Sequence, residues 1–156
     1  MKIPESIREL IVNAPLAHIT TLNSTGGPQV TVVWVGIEGE DFVIGHLHLP
    51  TYQKVRNILR DPRVALSMLS NATNAQGLRE YLVVYGNARV TEGGAFDLLQ
   101  RLGRLYLGPH AVYPPAVMAD IPGWITRITP MHFAGVGPWV VPNARESTVN
   151  LSDEGR

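Results

Sequence analysis

The 156-residue chain has no cysteine, which excludes a disulfide framework, a thiolate nucleophile and any zinc or iron–sulfur centre built on Cys ligands. It has no surplus of charge either: 13 Lys+Arg stand against 13 Asp+Glu, and charged residues make up only 17 %. A protein held on nucleic acid by a basic face is not built this way. With three phenylalanines and 7 % aromatic residues, the chain also lacks the basic aromatic groove of a single-strand binder. Apolar runs such as Val30–Val35 and Tyr81–Tyr85 fall far short of the ~20 residues of a membrane span. The opening Met1-Lys2-Ile3-Pro4-Glu5 has no signal-peptide core. The expectation is one soluble, cytoplasmic domain, with no membrane or nucleic-acid partner and a real core.

What is present is punctuated β-structure. Ile3, Ile7, Leu10 and Ile11 recur at helical spacing after Pro4, predicting a helix from Pro4 to Asn13. Leu16–Leu22, Gln29–Ile37 and Phe42–Leu47 read as strands separated by turn residues, an antiparallel meander. From Thr51 the period changes, and Tyr52, Val55, Ile58 and Leu59 line one face of a helix ending at Arg60-Asp61-Pro62. Val64–Leu69 is a fourth strand, Ser70–Gly77 a polar, mobile loop, and Tyr81–Val90 a fifth strand with a bulge at Gly86. Thr91 caps a helix carrying Phe96, Leu99, Leu102 and Tyr106, closed by Gly108-Pro109. The proline-rich His110–Pro122 is irregular, and Trp124–Gly135 is the last strand. There is no internal repeat. The predicted fold is mainly β, a six-stranded antiparallel barrel with short flanking helices over 1–139, followed by a polar, disordered tail over 140–156.

Few residues carry chemistry on spacing alone. Lys54, Arg56, Arg60 and Arg63 fall within ten residues of one another, with Lys54 in the first turn of its helix. A cation beside unpaired first-turn N–H groups suits a phosphate, although such runs are as often a solvated helix face. His46 and His48 point to the same side of an extended segment, without a third ligand at metal spacing, so no metal site is expected. No Gly-x-Ser-x-Gly elbow occurs, and Gly26-Gly27 sits in a turn that opens no helix. Trp34, Trp124 and Trp139 are candidates to cover a planar ligand or to pack in the core. These features describe a small barrel with one anion site and name no function.

The order of segments is more specific. Gly26-Gly27-Pro28-Gln29-Val30-Thr31-Val32-Val33-Trp34 precedes Phe42-Val43-Ile44-Gly45-His46, and the block Lys54-x-x-Asn57-x-x-Arg60-Asp61-Pro62-Arg63-Val64 follows. This succession, with Leu16–Leu22 and Gly86–Val90, resembles the split β-barrel flavin and deazaflavin oxidoreductases, the superfamily of pyridoxamine 5′-phosphate oxidase. Within it the chain is most similar to the reductases of the B group that depend on the deazaflavin coenzyme F420.

The resemblance covers about Pro4 to Gly137 and implies a homodimer with a cofactor cleft at each subunit interface. Gln29, Thr31 and Val32 would then border the ring, and Ile44, Gly45, His46 and Leu47 would contact it. Lys54 and Asn57 would hold the phosphate, while Arg79 and Tyr81 would reach the partner's cofactor. The flavin mononucleotide (FMN) oxidases usually carry a cation at each end of the stretch equivalent to Gln29–Trp34. That stretch has none here, which favours F420 over FMN. Many members carry an arginine two residues before the lysine; this chain has Tyr52, leaving Arg56 or Arg60 to substitute. The implied reaction is hydride transfer from reduced deazaflavin to an electron-poor conjugated small molecule. The alternatives are an FMN-dependent oxidase-like enzyme, a biliverdin- or haem-handling protein, and a non-catalytic F420 carrier. No catalytic residue is assigned.

Overall fold

A computed structural model describes residues 1–48 and 52–140. Helix α1 (Glu5–Val12) begins after Pro4, whose missing N–H costs nothing at a helix start, and buries Ile7, Leu10 and Ile11. Seven strands follow: β1 (Ala17–Leu22), β2 (Pro28–Val33), β3 (Gly36–Glu38), β4 (Asp41–His46), β5 (Arg63–Thr73), β6 (Arg79–Glu92) and β7 (Trp124–Val136). Helix α2 (Gln53–Arg60) lies between β4 and β5, and α3 (Ala95–Leu107) between β6 and β7. All pairings are antiparallel, and the sheet runs β2-β1-β5-β6-β7-β4-β3.

The count is seven rather than six because Gln29–Ile37 is not one strand. It breaks at Trp34-Val35: β2 pairs with β1 up to Ala17↔Val33, and β3 pairs with β4 from Gly36↔Val43. The two edge strands of the sheet are therefore consecutive in the chain, so the backbone itself joins the edges and curls the sheet into a split barrel. The meander survives only as two hairpins whose shared middle strand serves opposite edges. At the break, Val35 N–H donates to the Tyr106 hydroxyl at 3.1 Å, and that hydroxyl donates to Pro15 C=O at 2.7 Å. A buried backbone donor that leaves its ladder needs such a partner.

Three further expectations are corrected. Ser70–Gly77 is not a mobile loop: β5 runs to Thr73, and a tight Asn74–Leu78 hairpin follows. There Asn74 Oδ1 accepts from the N–H groups of Gln76 and Leu78, an Asx-type turn. Thr91 is no helix cap, since β6 continues to Glu92 and Gly94, in the left-handed region, precedes α3. Leu59 is 70 % exposed, and Asn57 takes its place on the buried face of α2. The break at Gly86 is present as a register shift, and a Cβ there would lie 2.5 Å from Thr129 O.

The main core joins Ile3 and Ile7 of the N-terminal segment to Ile19, Phe42, Leu66, Leu82, Val84 and Ile128 inside the barrel. Helix α3 adds a second layer, with Leu98 and Leu102 against Val43 and Ile125. Beyond β7 the chain turns back and buries Trp139, whose indole N–H donates to Tyr81 C=O. The expected polar tail lies, from residue 141 on, outside the described residues. Truncating a buried tryptophan costs roughly 3–5 kcal/mol. Trp139→Ala should therefore lower the urea unfolding free energy by about that much, whereas Val140→Ala, at an exposed position, should leave it nearly unchanged.

Candidate functional site

β2 and β4 are not hydrogen-bonded to each other, and a cleft of about 290 Å³ opens where they part. Val32, Val33 and Trp34 form one lip; Ile44, Gly45 and His46 form the other. Tyr52 and Lys54 close one end from the start of α2, and Leu16, Leu99 and Tyr113 complete the walls. Gly45 lets β4 run close under α3, since a Cβ there would lie 2.8 Å from Leu99 Cγ. Trp34 stacks on Tyr106, with centroids 5.2 Å apart and planes 10° apart, and meets Tyr113 edgewise at 5.3 Å. The tie that turns the chain at Val35 thus also supports an aromatic wall of the cleft.

Lys54 is the one permanently charged side chain of the lining. It is the second residue of α2, half-buried, with Nζ 4.6 Å from the Tyr52 ring centroid. Among the described residues no carboxylate pairs with it, and burial pushes its ammonium pKa down. The first turn of α2 has no side-chain cap and no acid, so no side chain offsets the partial positive charge of its leading N–H groups, which adds to that of the lysine. The other cations of the run are engaged elsewhere. Arg63 pairs with Asp61, Arg56 donates to Gln53, and Arg60 donates to Leu22 C=O.

His46 is the buried polar group of the cleft, only 4 % exposed, with Nε2 2.8 Å from Thr126 Oγ1. Burial, reinforced by the Lys54 charge, lowers its pKa to about 4, so it is neutral at pH 7. His48 does not share its side: β4 ends at His46, the alternation lapses, and His48 is exposed.

Of the residues singled out in the sequence, the cleft gathers Val32, Trp34, Ile44, Gly45, His46 and Lys54. Gln29 and Asn57 meet each other's network instead. Asn57, fully buried, donates to Thr21 Oγ1 and Asn23 Oδ1 and accepts from Gln53, while Thr21 donates to Gln29. This network pins α2 to the β1–β2 hairpin, and the structure places Asn57 away from the cleft. Thr31 follows Gln29 on the same side of β2, with its buried Oγ1 lacking a partner among the described residues. Leu47 packs with Ala95 and Leu99. Arg79 donates to Ser70 C=O and lines a separate groove that meets the cleft at Leu16, and Tyr81 is exposed on the sheet. Leu16, Leu99 and Tyr113 were not anticipated. Nothing in their local sequence marks them, because distant segments carry them to the site.

A family model described as pyridoxamine 5′-phosphate oxidase matches residues 3–136. The chain belongs to this family. No curated protein matches it at a significant level. Among solved structures, one named F420 reductase is 28 % identical, with a TM-score of 0.65 over 85 % of this chain and 98 % of that one. A conserved hypothetical protein of Mycobacterium tuberculosis is 17 % identical, with a TM-score of 0.66 over 86 % of this chain and 84 % of the other. The haem storage protein HutZ of Vibrio cholerae is also 17 % identical, with a TM-score of 0.59 over 86 % and 95 %. The last two show the fold alone. The family consists mostly of oxidoreductases that use flavin-type cofactors. No helix among the described residues is long and apolar enough to cross a membrane.

The neutrality of His46 has a measurable consequence. Its folded pKa lies below the unfolded value near 6.5, so between those values the unfolded chain binds more protons, and stability falls as pH drops from about 6.5 to about 4. Urea unfolding at pH 7 and pH 4.5 should show this group costing the wild type on the order of 2 kcal/mol at the lower pH. That share of the pH dependence should be absent in His46→Gln.

Proposed function

We propose that this protein is an F420-dependent oxidoreductase that passes hydride to an electron-poor, conjugated small molecule. The observation that carries the reading is the charge of the cleft: one cation, Lys54, beside an uncapped helix start, and otherwise aromatic and aliphatic walls. A flat ring with a single phosphodiester-type anion suits this distribution. A phosphomonoester such as that of FMN would ask for more positive charge than one lysine supplies. Similarity at 28 % identity to a structure named F420 reductase points the same way.

The residues fit such a cofactor. The volume of about 290 Å³ sits at the lower end of ligand sites, enough for a ring system with the remainder reaching outward along α2. Lys54 and the first-turn N–H groups would hold the phosphate; Val32 and Ile44–His46 would flank the ring, with Leu47 behind them. When bound, reduced F420 supplies a hydride from ring carbon C5. The chain orients the ring against its acceptor and excludes water with Trp34, Tyr113 and Leu99.

Homodimerisation is part of the proposal, and the sheet supports it. By register, Val32, His18, Ser67, Val83 and Ala134 form one row across the barrel, and Val30, Thr20, Ala65, Tyr85 and His132 form the next. Neither row carries a Lys, Arg, Asp or Glu. Val30, Val32 and Tyr85 are exposed in these rows and Tyr81 in the row beside them, an apolar face of the kind a partner covers. Val32 belongs to both the face and the cleft, so a second copy seated here would border the cofactor, with Arg79 and Tyr81 near the seam.

Equilibrium titrations with F420 and with FMN test the cofactor. Preferential F420 binding is expected, with Lys54→Ala weakening it about tenfold at unchanged thermal stability, the scale of one charge-assisted hydrogen bond. Preference for FMN, a Soret band with added haem, or F420 binding without turnover of any conjugated acceptor would each replace this reading by the corresponding alternative. Tyr85→Glu should convert the sedimenting species from dimer to monomer, and a wild type already monomeric at micromolar concentration would refute the dimer.

A further inference from the structure

His46 and Thr126 meet across the β4–β7 ladder. Their strands are paired with Ile44 opposite Thr126 and His46 opposite Trp124, so the two side chains are diagonal neighbours on one face. The contact, Nε2 to Oγ1 at 2.8 Å, has two possible polarities. Thr126 is 1 % exposed, and its hydroxyl has no other partner among the described residues. Were His46 the donor, the threonine proton would be buried without an acceptor; with Thr126 donating, the ring's own N–H sits at Nδ1, which is not among the fully buried unpaired atoms of the described residues, so solvent or a ligand in the cleft can accept from it. The unmade donor is the costlier fault, and a hydroxyl rotates freely to avoid it. His46 Nδ1 has no protein partner among the described residues, and its ring lines the cleft.

We infer that Thr126 acts as a positioning residue, donating to His46 Nε2 and so fixing the Nδ1–H tautomer, which makes His46 a hydrogen-bond donor to a carbonyl oxygen on a planar ring bound in the cleft. The ring stays neutral at pH 7 because of its burial and the Lys54 charge, so the donor is a tautomer and not an imidazolium. The site therefore selects ligands that present an acceptor to His46 and disfavours those presenting an N–H there. The assignment of F420 as that ligand rests on the proposed function; the tautomer does not.

Two-bond ¹H–¹⁵N spectra of the histidine-labelled, ligand-free protein read the tautomer directly, with His46 assigned by its loss in His46→Gln. The Nδ1–H pattern is expected in the wild type and in Thr126→Ser, and its loss in the isosteric Thr126→Val. F420 affinity should fall about tenfold in Thr126→Val and return in Thr126→Ser, the scale of one hydrogen bond. An Nε2–H tautomer in the wild type would overturn the inference, as would a Thr126→Val protein with wild-type tautomer and affinity. If the wild type binds neither F420 nor FMN, the ligand assignment falls with the deazaflavin reading, while the tautomer still decides the His46–Thr126 pair.

Discussion

The structure depends on one interruption in a strand. Residues 28–38 would form a single ladder if Trp34 and Val35 stayed extended, and the sheet would then have two free edges. Instead the chain turns there, and the Tyr106 hydroxyl takes the Val35 N–H while donating to Pro15 C=O. One side chain from α3 thereby ties the end of β2, the start of β3 and the entry to β1. Joining the two edges through the backbone brings them together without pairing them, and it leaves an opening where β2 and β4 diverge. The cleft is the geometric remainder of closing the barrel this way.

Electrostatics follow from that geometry. The cleft lies among strand ends and an α3 face that are apolar because they also serve the core, so a charge placed there is weakly screened. Lys54 tolerates this position by staying half-buried at a helix start. His46 tolerates it by giving up its proton. Two acids near the barrel rim are paired away from the cleft: Glu38 with Arg101 and Arg127, and Asp41 with Arg89 and Thr129. Those partners hold the Glu38 and Asp41 carboxyls below their usual range against the opposing effect of burial. One uncompensated cation on a neutral cleft defines the polarity with which a ligand enters.

Periodicity read well wherever a segment had one neighbour on one face. α1, the β3–β4 turn at Glu38–Asp41 and the bulge at Gly86 were legible because apolar spacing, turn residues and glycine report local backbone demands. The errors share a cause. Gln29–Ile37 read as one strand because β-branched residues continue through Trp34-Val35, and nothing local announces that hydrogen bonding changes partners there. Leu59 looked like the buried face of α2 because hydropathy prefers it to Asn57, yet Asn57 finds four side-chain partners across 34–36 residues of sequence or within α2 and is the one buried.

By itself the sequence determined the class of fold, the family through the Lys54–Val64 block, and the presence of a cation at a helix start. Composition and local order suffice for these because propensity, turn chemistry and motif spacing act over a few residues. The tertiary structure alone decided which residues share the cleft: Leu16, Trp34, Leu99 and Tyr113 come from four separated segments, whereas Gln29 and Asn57, close to Lys54 in motif terms, are drawn into a structural network. It also decided the state of His46, since neither burial nor a threonine 80 residues away is visible from the string. Proximity across a sheet depends on register, and register is settled only when the whole barrel closes.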